Sequence, residues 1–185
     1  PALKAKADEL IDLLAAAQEE DGYLNSYFSL ENPDQRWKNL ADCHELYVAG
    51  HLIEAATAYF EATGERKLLD VAIRFADLIG RTFGPARDQI HGYPGHEEVE
   101  LALVKLWQVT GADKYLELAR YFIDQRGQSP NYFLEERKSP DFFAYYPGSD
   151  RVLPHLPYHQ ADVPVLEQDH AEALGFRRAG AVPRL

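Results

Sequence analysis

Apolar residues recur at helical spacing in one segment after another. Leu3, Ala7, Leu10, Leu14 and Ala17 share one face of residues 2–20, an alanine-rich stretch without a breaker, and predict a first helix. A loop with Gly22, Pro33 and several aromatics follows. In "CHELYVAGHLIEAATAYFEAT" the apolar positions are Leu46, Ala49, Leu52, Ile53, Ala56 and Phe60, and Gly64 predicts a left-handed stop at the helix end. A third helix is predicted over 65–80, with Leu68, Val71, Ile73, Phe75 and Ile79 available to bury.

The pattern then repeats. "VTGADKYLELARYFID" at 109–124 aligns on "ATGERKLLDVAIRFAD" at 62–77 with an offset of 47, placing Gly64 on Gly111, Lys67 on Lys114, Ala72 on Ala119 and Asp77 on Asp124. The helices before them correspond too, Ala55 on Ala102 and Phe60 on Trp107. The unit is therefore a helical hairpin with a tight Thr-Gly inner turn and a long outer connection. Long connections run over 20–42, 81–95 and 127–160, each after the second helix of a pair. Antiparallel packing gathers the tight turns at one end and the long, Tyr- and His-rich loops at the other, where a binding face is expected. Two all-α architectures fit: an open solenoid, or hairpins closed into an (α/α) barrel. Solenoid repeats of this size connect every helix tightly, so the long alternate loops favour the barrel or an arc of one.

The chain has 185 residues, 46% of them apolar, enough for one domain with a core. Nineteen basic against thirty acidic residues give a net charge of −11, and no Lys/Arg stripe could neutralise phosphates, which argues against nucleic acid as a partner. Cys43 is the one cysteine, so the chain alone forms no internal disulfide and no multi-cysteine metal cage. That usage fits a reducing compartment and gives a cytoplasmic expectation. No apolar run approaches the roughly 20 residues that span a bilayer, and no signal segment opens the chain, so no membrane association is expected. The first residue is Pro1 and not Met, which leaves the natural N-terminus open.

Loop aromatics are plentiful, among them Tyr23, Tyr27, Phe28, Tyr93, Tyr132, Phe133, Phe142, Phe143, Tyr145, Tyr146 and Tyr158. They either line a pocket or cover helix ends. Three histidines stand where a long loop meets the next element: His44 in "ADCHELY", His96 in "GYPGHEE" and His159 in "LPYHQAD". Recurrence at one end of successive hairpins would bring them to one mouth, although a helix-opening histidine is often only a cap or surface residue. Metal spacing is poor, since neither "HELYV" nor "HEEVE" continues as H-E-x-x-H. His44 and His51, two turns apart, cannot share an ion without outside ligands. Glu45, Glu97, Glu98 and Glu100 are candidates for a carboxylate pair that cleaves a glycosidic bond. Acids in a first turn also simply complement the helix dipole. A neutral imidazole both donates and accepts, which suits sugar hydroxyls.

Several longer motifs occur in order: "QEEDGYLNSYF", "HELY-x-AGHLIEAA", "EATG-x-RKLLDVAIRFAD", "GYPGHEE-x-ELALVKL", "KYL-x-LA-x-YFIDQRG" and "YHQ". Over residues 18–175 the chain resembles the N-terminal part of the catalytic barrel of glycoside hydrolase family 127, the β-L-arabinofuranosidase family. The resemblance implies part of an (α/α)6 barrel and a role in the retaining removal of terminal β-L-arabinofuranose from oligosaccharides. It implies further that His44, His96 and His159 bind sugar, with Glu45 and Glu97 as their supporting neighbours. The family's nucleophile is a zinc-bound cysteine thiolate, the zinc being held by one glutamate and three cysteines, with another glutamate as acid/base.

Those catalytic residues belong to a Glu-Thr-Cys and a Cys-Cys motif, and neither is present here. No catalytic or metal-binding residue is therefore assigned, Cys43 is read as a small buried residue, and the chain is expected to be inactive alone. Residues 1–185 are read as one partial barrel domain, with "FRRAGAVPRL" at 176–185 departing from the family pattern. A partial barrel leaves apolar helix faces open, through which copies of the chain could associate. A helical-repeat binding module without catalysis, or another six-hairpin sugar enzyme, are the competing readings.

Overall fold

The structure, a computed structural model, describes residues 2–144. Its elements in chain order are α1 (Ala2–Ala17), α2 (Ser26–Leu30), a 3-10 turn (Pro33–Gln35), α3 (Glu45–Thr63), α4 (Lys67–Thr82), α5 (Val99–Thr110), α6 (Asp113–Gln125) and α7 (Tyr132–Glu136). Among the described residues no strand forms, and one isolated bridge joins Phe83 to Ile90. No described helix is long and apolar enough to cross a membrane.

The helices form two layers. α3 packs beside α5, and each also lies against its own hairpin partner, α4 and α6 respectively. On the other side α1 packs on α4 and α4 on α6. α3 and α5 thus make one layer and α1, α4 and α6 the second, as in an arc of an (α/α) barrel. The periodic residues explain why. α4 buries Leu68, Leu69, Val71, Ala72, Phe75, Ala76 and Ile79 on one stripe while Asp70 and Arg74 face solvent. Each such large side chain removed from water contributes roughly 1.5–3 kcal/mol.

The sequence repeat is visible in three dimensions. Gly64 (φ 75°) and Gly111 (φ 69°) both adopt the left-handed conformation, and their N–H groups donate at 2.7 Å to the carbonyls of Phe60 and Trp107. Lys67 pairs with Asp12 and, in the next unit, Lys114 pairs with Asp77. The outer layer therefore repeats one ion pair from helix to helix.

Two expectations change. The first helix ends at Ala17, and Gln18 turns inward to donate to the carbonyls of Gly22 (2.9 Å) and Val71 (2.8 Å). Its apolar face is only partly covered: Leu14 packs against the core, Leu3 is 84% exposed and Leu10 57%, and Ile11 is the buried side chain. Among the loop aromatics, Tyr23, Phe28, Tyr93 and Phe133 join the core, so these four cover helix ends. Tyr145, Tyr146 and Tyr158 lie outside the described residues.

α3 and α5 approach closely at one point. A Cβ on Gly50 would sit 2.7 Å from Glu98 Cγ and 2.9 Å from Val99 N, so only glycine fits. Alanine in a helix interior normally stabilises by up to about 1 kcal/mol over glycine. Here the sign should reverse: Gly50→Ala is expected to lower stability by about 1–3 kcal/mol, read from the urea midpoint. A neutral or stabilising result would show that the two helices are not packed this tightly.

Candidate functional site

The starts of α3 and α5 lie together at the end opposite the Thr-Gly turns. His44 occupies the N-cap position of α3, without capping it through its side chain. His96 does not open α5 as the sequence suggested: it sits in the turn before Glu98, the residue that precedes the helix. The two imidazoles nevertheless stack, with centroids 4.8 Å apart and planes 20° from parallel. Tyr47, one turn into α3, stands edge-on to both, at 5.7 Å from His44 and 5.6 Å from His96. Both histidines are exposed, and between them lies a cleft whose walls include Cys43, Pro94 and Gly95. Gly95 makes the juxtaposition possible. Its N–H donates to the Leu40 carbonyl at 3.0 Å, and a Cβ there would run into the carbonyl oxygen of Ala41. His159 lies outside the described residues.

Under this ledge runs a set of buried carboxylates. Glu45, 1% exposed, accepts from the Tyr23 hydroxyl and from the Trp37 N–H at 3.0 Å. It thereby helps hold Trp37 in a left-handed backbone conformation (φ 62°) that a bulky residue rarely takes. Burial raises the Glu45 carboxyl from 4.5 to about 7, against the pull of those two donors. Glu97 meets Nη1 of Arg126 at 3.1 Å. The Arg126 guanidinium also donates to Glu100 Oε1 and to the Pro94 carbonyl, both at 2.9 Å, and lies 5.1 Å from the Tyr93 ring. Glu100, 1% exposed, is thus the partner of a buried arginine and not only an acid complementing the helix dipole. Glu136 of α7 accepts from the N–H groups of Leu40 (2.7 Å) and Ala41 (3.3 Å), and burial raises its carboxyl as well.

Glu98 belongs to a different group. Its carboxylate lies 3.2 Å from His51 Nδ1, and the ligand atoms of His51, Glu54 and Glu98 fall within 4.8 Å of one another. Lys105 of α5 already pairs with Glu54 and lowers its carboxyl, while burial and Glu54 itself raise that of Glu98. The cluster reads as an ionic seam between α3 and α5. The zinc implied by the family resemblance does not fit the residues present. Cys43 is the chain's one cysteine, and burial, then Glu45, pushes its thiol up to about 12, so it stays protonated at neutral pH.

Tyr47, Arg126, Trp37 and Glu136 were not singled out from the sequence. Tyr47 stands in "HELY", one turn after His44, and that spacing was a usable signal. Arg126 and Glu136 act across the fold and leave no local pattern.

Comparison with known proteins shows which family the chain resembles throughout its length. Residues 1–184 match the family model described as β-L-arabinofuranosidase, GH127 catalytic domain. A non-reducing end β-L-arabinofuranosidase of Bifidobacterium longum subsp. longum is 39% identical over 186 residues, covering 96% of this chain and 27% of its own length. The crystal structure of a GH127 β-L-arabinofuranosidase from Geobacillus stearothermophilus T6 is 54% identical with a TM-score of 0.75, over 80% of this chain and 24% of that one. A second GH127 β-arabinofuranosidase structure is 40% identical with a TM-score of 0.65, over 68% of this chain and 21% of that one. The chain therefore spans about a quarter of the length of the relatives it matches.

Two measurements test the buried network. Arg126→Met leaves Glu100 without its cation and is expected to cost about 3–5 kcal/mol in denaturant unfolding, far more than loss of a surface pair. For Glu45, a folded-state value above the unfolded one means that the folded chain holds the proton longer. Its stabilising contribution is then complete below pH 4.5 and is lost as pH rises through about 7. Wild type should lose about 3 kcal/mol relative to Glu45→Gln across that window, at roughly 1.4 kcal/mol per unit. Parallel pH profiles for the two proteins would contradict it.

Proposed function

Because this chain belongs to glycoside hydrolase family 127, we propose that it forms part of the sugar-binding face of a retaining β-L-arabinofuranosidase and carries none of the bond-breaking groups. The stacked pair of His44 and His96 carries this reading. Two adjacent imidazoles, each with one N–H and one lone pair when neutral, suit neighbouring hydroxyls of a terminal arabinofuranose. Tyr47 limits the width of the cleft beside them. His159 is the third histidine of the same proposal.

The supporting residues have separable tasks. Glu45 holds the 23–37 loop against the base of α3, directly beneath His44. Arg126 holds Glu97 and the Pro94 carbonyl, on either side of His96. Neither acid faces the cleft as a proton donor in this arrangement. They position the histidines. The relatives' printed activity supports terminal β-L-arabinofuranosides as the substrate class. A reducing location such as the cytoplasm is part of the proposal and rests on Cys43 being a free thiol.

The chain should not hydrolyse p-nitrophenyl β-L-arabinofuranoside, with or without added zinc, beside the Bifidobacterium longum relative as positive control. It should bind methyl β-L-arabinofuranoside in calorimetry. His44→Ala or His96→Ala should each weaken that binding by about tenfold, equivalent to one hydrogen bond of roughly 1.4 kcal/mol. Turnover by the wild-type chain would refute the division between grip and chemistry. Unaltered binding by both variants would remove the histidines from the site.

A further inference from the structure

We infer that His51, Glu54 and Glu98 form a binding site for a divalent transition-metal ion, clamped between α3 and α5 behind the histidine cleft.

The sequence builds this site from both sides of the seam. His51 and Glu54 stand three residues apart in "HLIE", so both project from one face of α3. Glu98, the residue ahead of α5, comes against that face because Gly50 has no side chain to keep its backbone and Cγ away. Among the described residues, this is the group of His, Cys, Asp or Glu side chains whose ligand atoms gather as a trio, all within 4.8 Å of one another.

Spacing and charge both distinguish the trio from a plain ion pair. His51 Nδ1 and Glu98 Oε1 are 3.2 Å apart, yet no hydrogen bond joins them, and Glu98 Oε1 is buried without a hydrogen-bond partner. Two atoms that ligate one ion at about 2.0–2.2 Å stand roughly 3–3.5 Å apart. The pair therefore has the separation of two ligands on a shared ion, and a buried lone pair to offer it. Glu54 and Glu98 also set two carboxylates side by side, while Lys105 pairs with Glu54. An ammonium neutralises one of those acids; a divalent ion neutralises both and engages the imidazole as well. The Lys105 side chain is 44% exposed, so it can turn to solvent when the ion enters.

The donor set selects the ion. One imidazole and two carboxylates suit Zn2+, Co2+ or Ni2+ and leave a coordination position for water, whereas Ca2+ and Mg2+ prefer oxygen ligands throughout. These donors are separate from the glutamate and cysteines that the family resemblance implies for its zinc. The site also lies one ring away from the cleft. His51 stands edge-on to Tyr47 at 4.4 Å, and Tyr47 stands edge-on to His44 and His96. An ion on His51 Nδ1 fixes the ring against which that wall of the cleft rests, without using His44 or His96.

The chain, stripped with EDTA, is titrated with Zn2+ in calorimetry and with Co2+ in visible absorption. The expected result is one equivalent bound, a Co2+ spectrum of nitrogen and oxygen ligation, and a urea midpoint that rises when Zn2+ is present. His51→Ala, Glu54→Gln and Glu98→Gln should each weaken uptake at least about tenfold, with circular dichroism confirming that the variants fold. Lys105→Gln should tighten uptake by about tenfold, because the ion no longer competes with the ammonium. A purely structural seam predicts no such gain, so unchanged affinity in Lys105→Gln would overturn the inference. So would a wild-type chain that takes up no ion, or uptake that survives His51→Ala but is lost in His44→Ala or His96→Ala, which would seat the ion on the stacked pair.

Discussion

Burial of carboxylates at the starts of the two inner helices is the constraint on which the rest of the arrangement depends. Glu45 is the first residue of α3 and Glu100 the second of α5, and both are 1% exposed. A buried acid must be neutralised, paired or hydrogen-bonded, and these two meet that demand differently. Glu45 draws the Tyr23 hydroxyl and the Trp37 N–H onto itself; Glu100 draws the guanidinium of Arg126. In each case the partner comes from outside the helix that carries the acid. The demand for a partner at each helix start thus pulls the long connections into fixed places above the bundle. Glu136 adds the third tie by holding Leu40 and Ala41.

The surface above these ties follows from them. Leu40 and Ala41 receive the Gly95 turn, and the turn brings His96 over His44. The acids stay below, and exposed, hydrogen-bonding rings stay above. That separation keeps the buried charges away from the two exposed rings, as the sugar-binding proposal requires. Rigid helices under a loop-built ledge are a common way to place such groups.

The helices, their tight turns and the repeat were legible in the sequence, because period, glycine stops and an offset of 47 residues are local signals. So was the convergence of His44 and His96, which follows from the repeat once the helices are antiparallel. That residues 2–20 open with a helix was legible too, but not how much of its face is covered. Its apolar period is genuine, but periodicity reports what a helix is able to bury and not whether a neighbour is present. Glu45 and Glu97 were expected as supporting neighbours of the histidines, but Glu97 and Glu100 pair with Arg126, 26 residues after Glu100, and no pattern in "DQRG" announces that. Tyr47 was overlooked because it reads equally well as helix surface.

The central claim is that these buried ties present His44 and His96 as one binding unit. Imidazole resonances of the chain, assigned by NMR and followed during titration with methyl β-L-arabinofuranoside, test it most directly. The account predicts that His44 and His96 shift together along one binding curve while His91, on the separate 84–91 loop and bonded to the Ala86 carbonyl, stays still. Independent curves for the two, or no response from either at sugar concentrations that saturate the calorimetric binding, would contradict it.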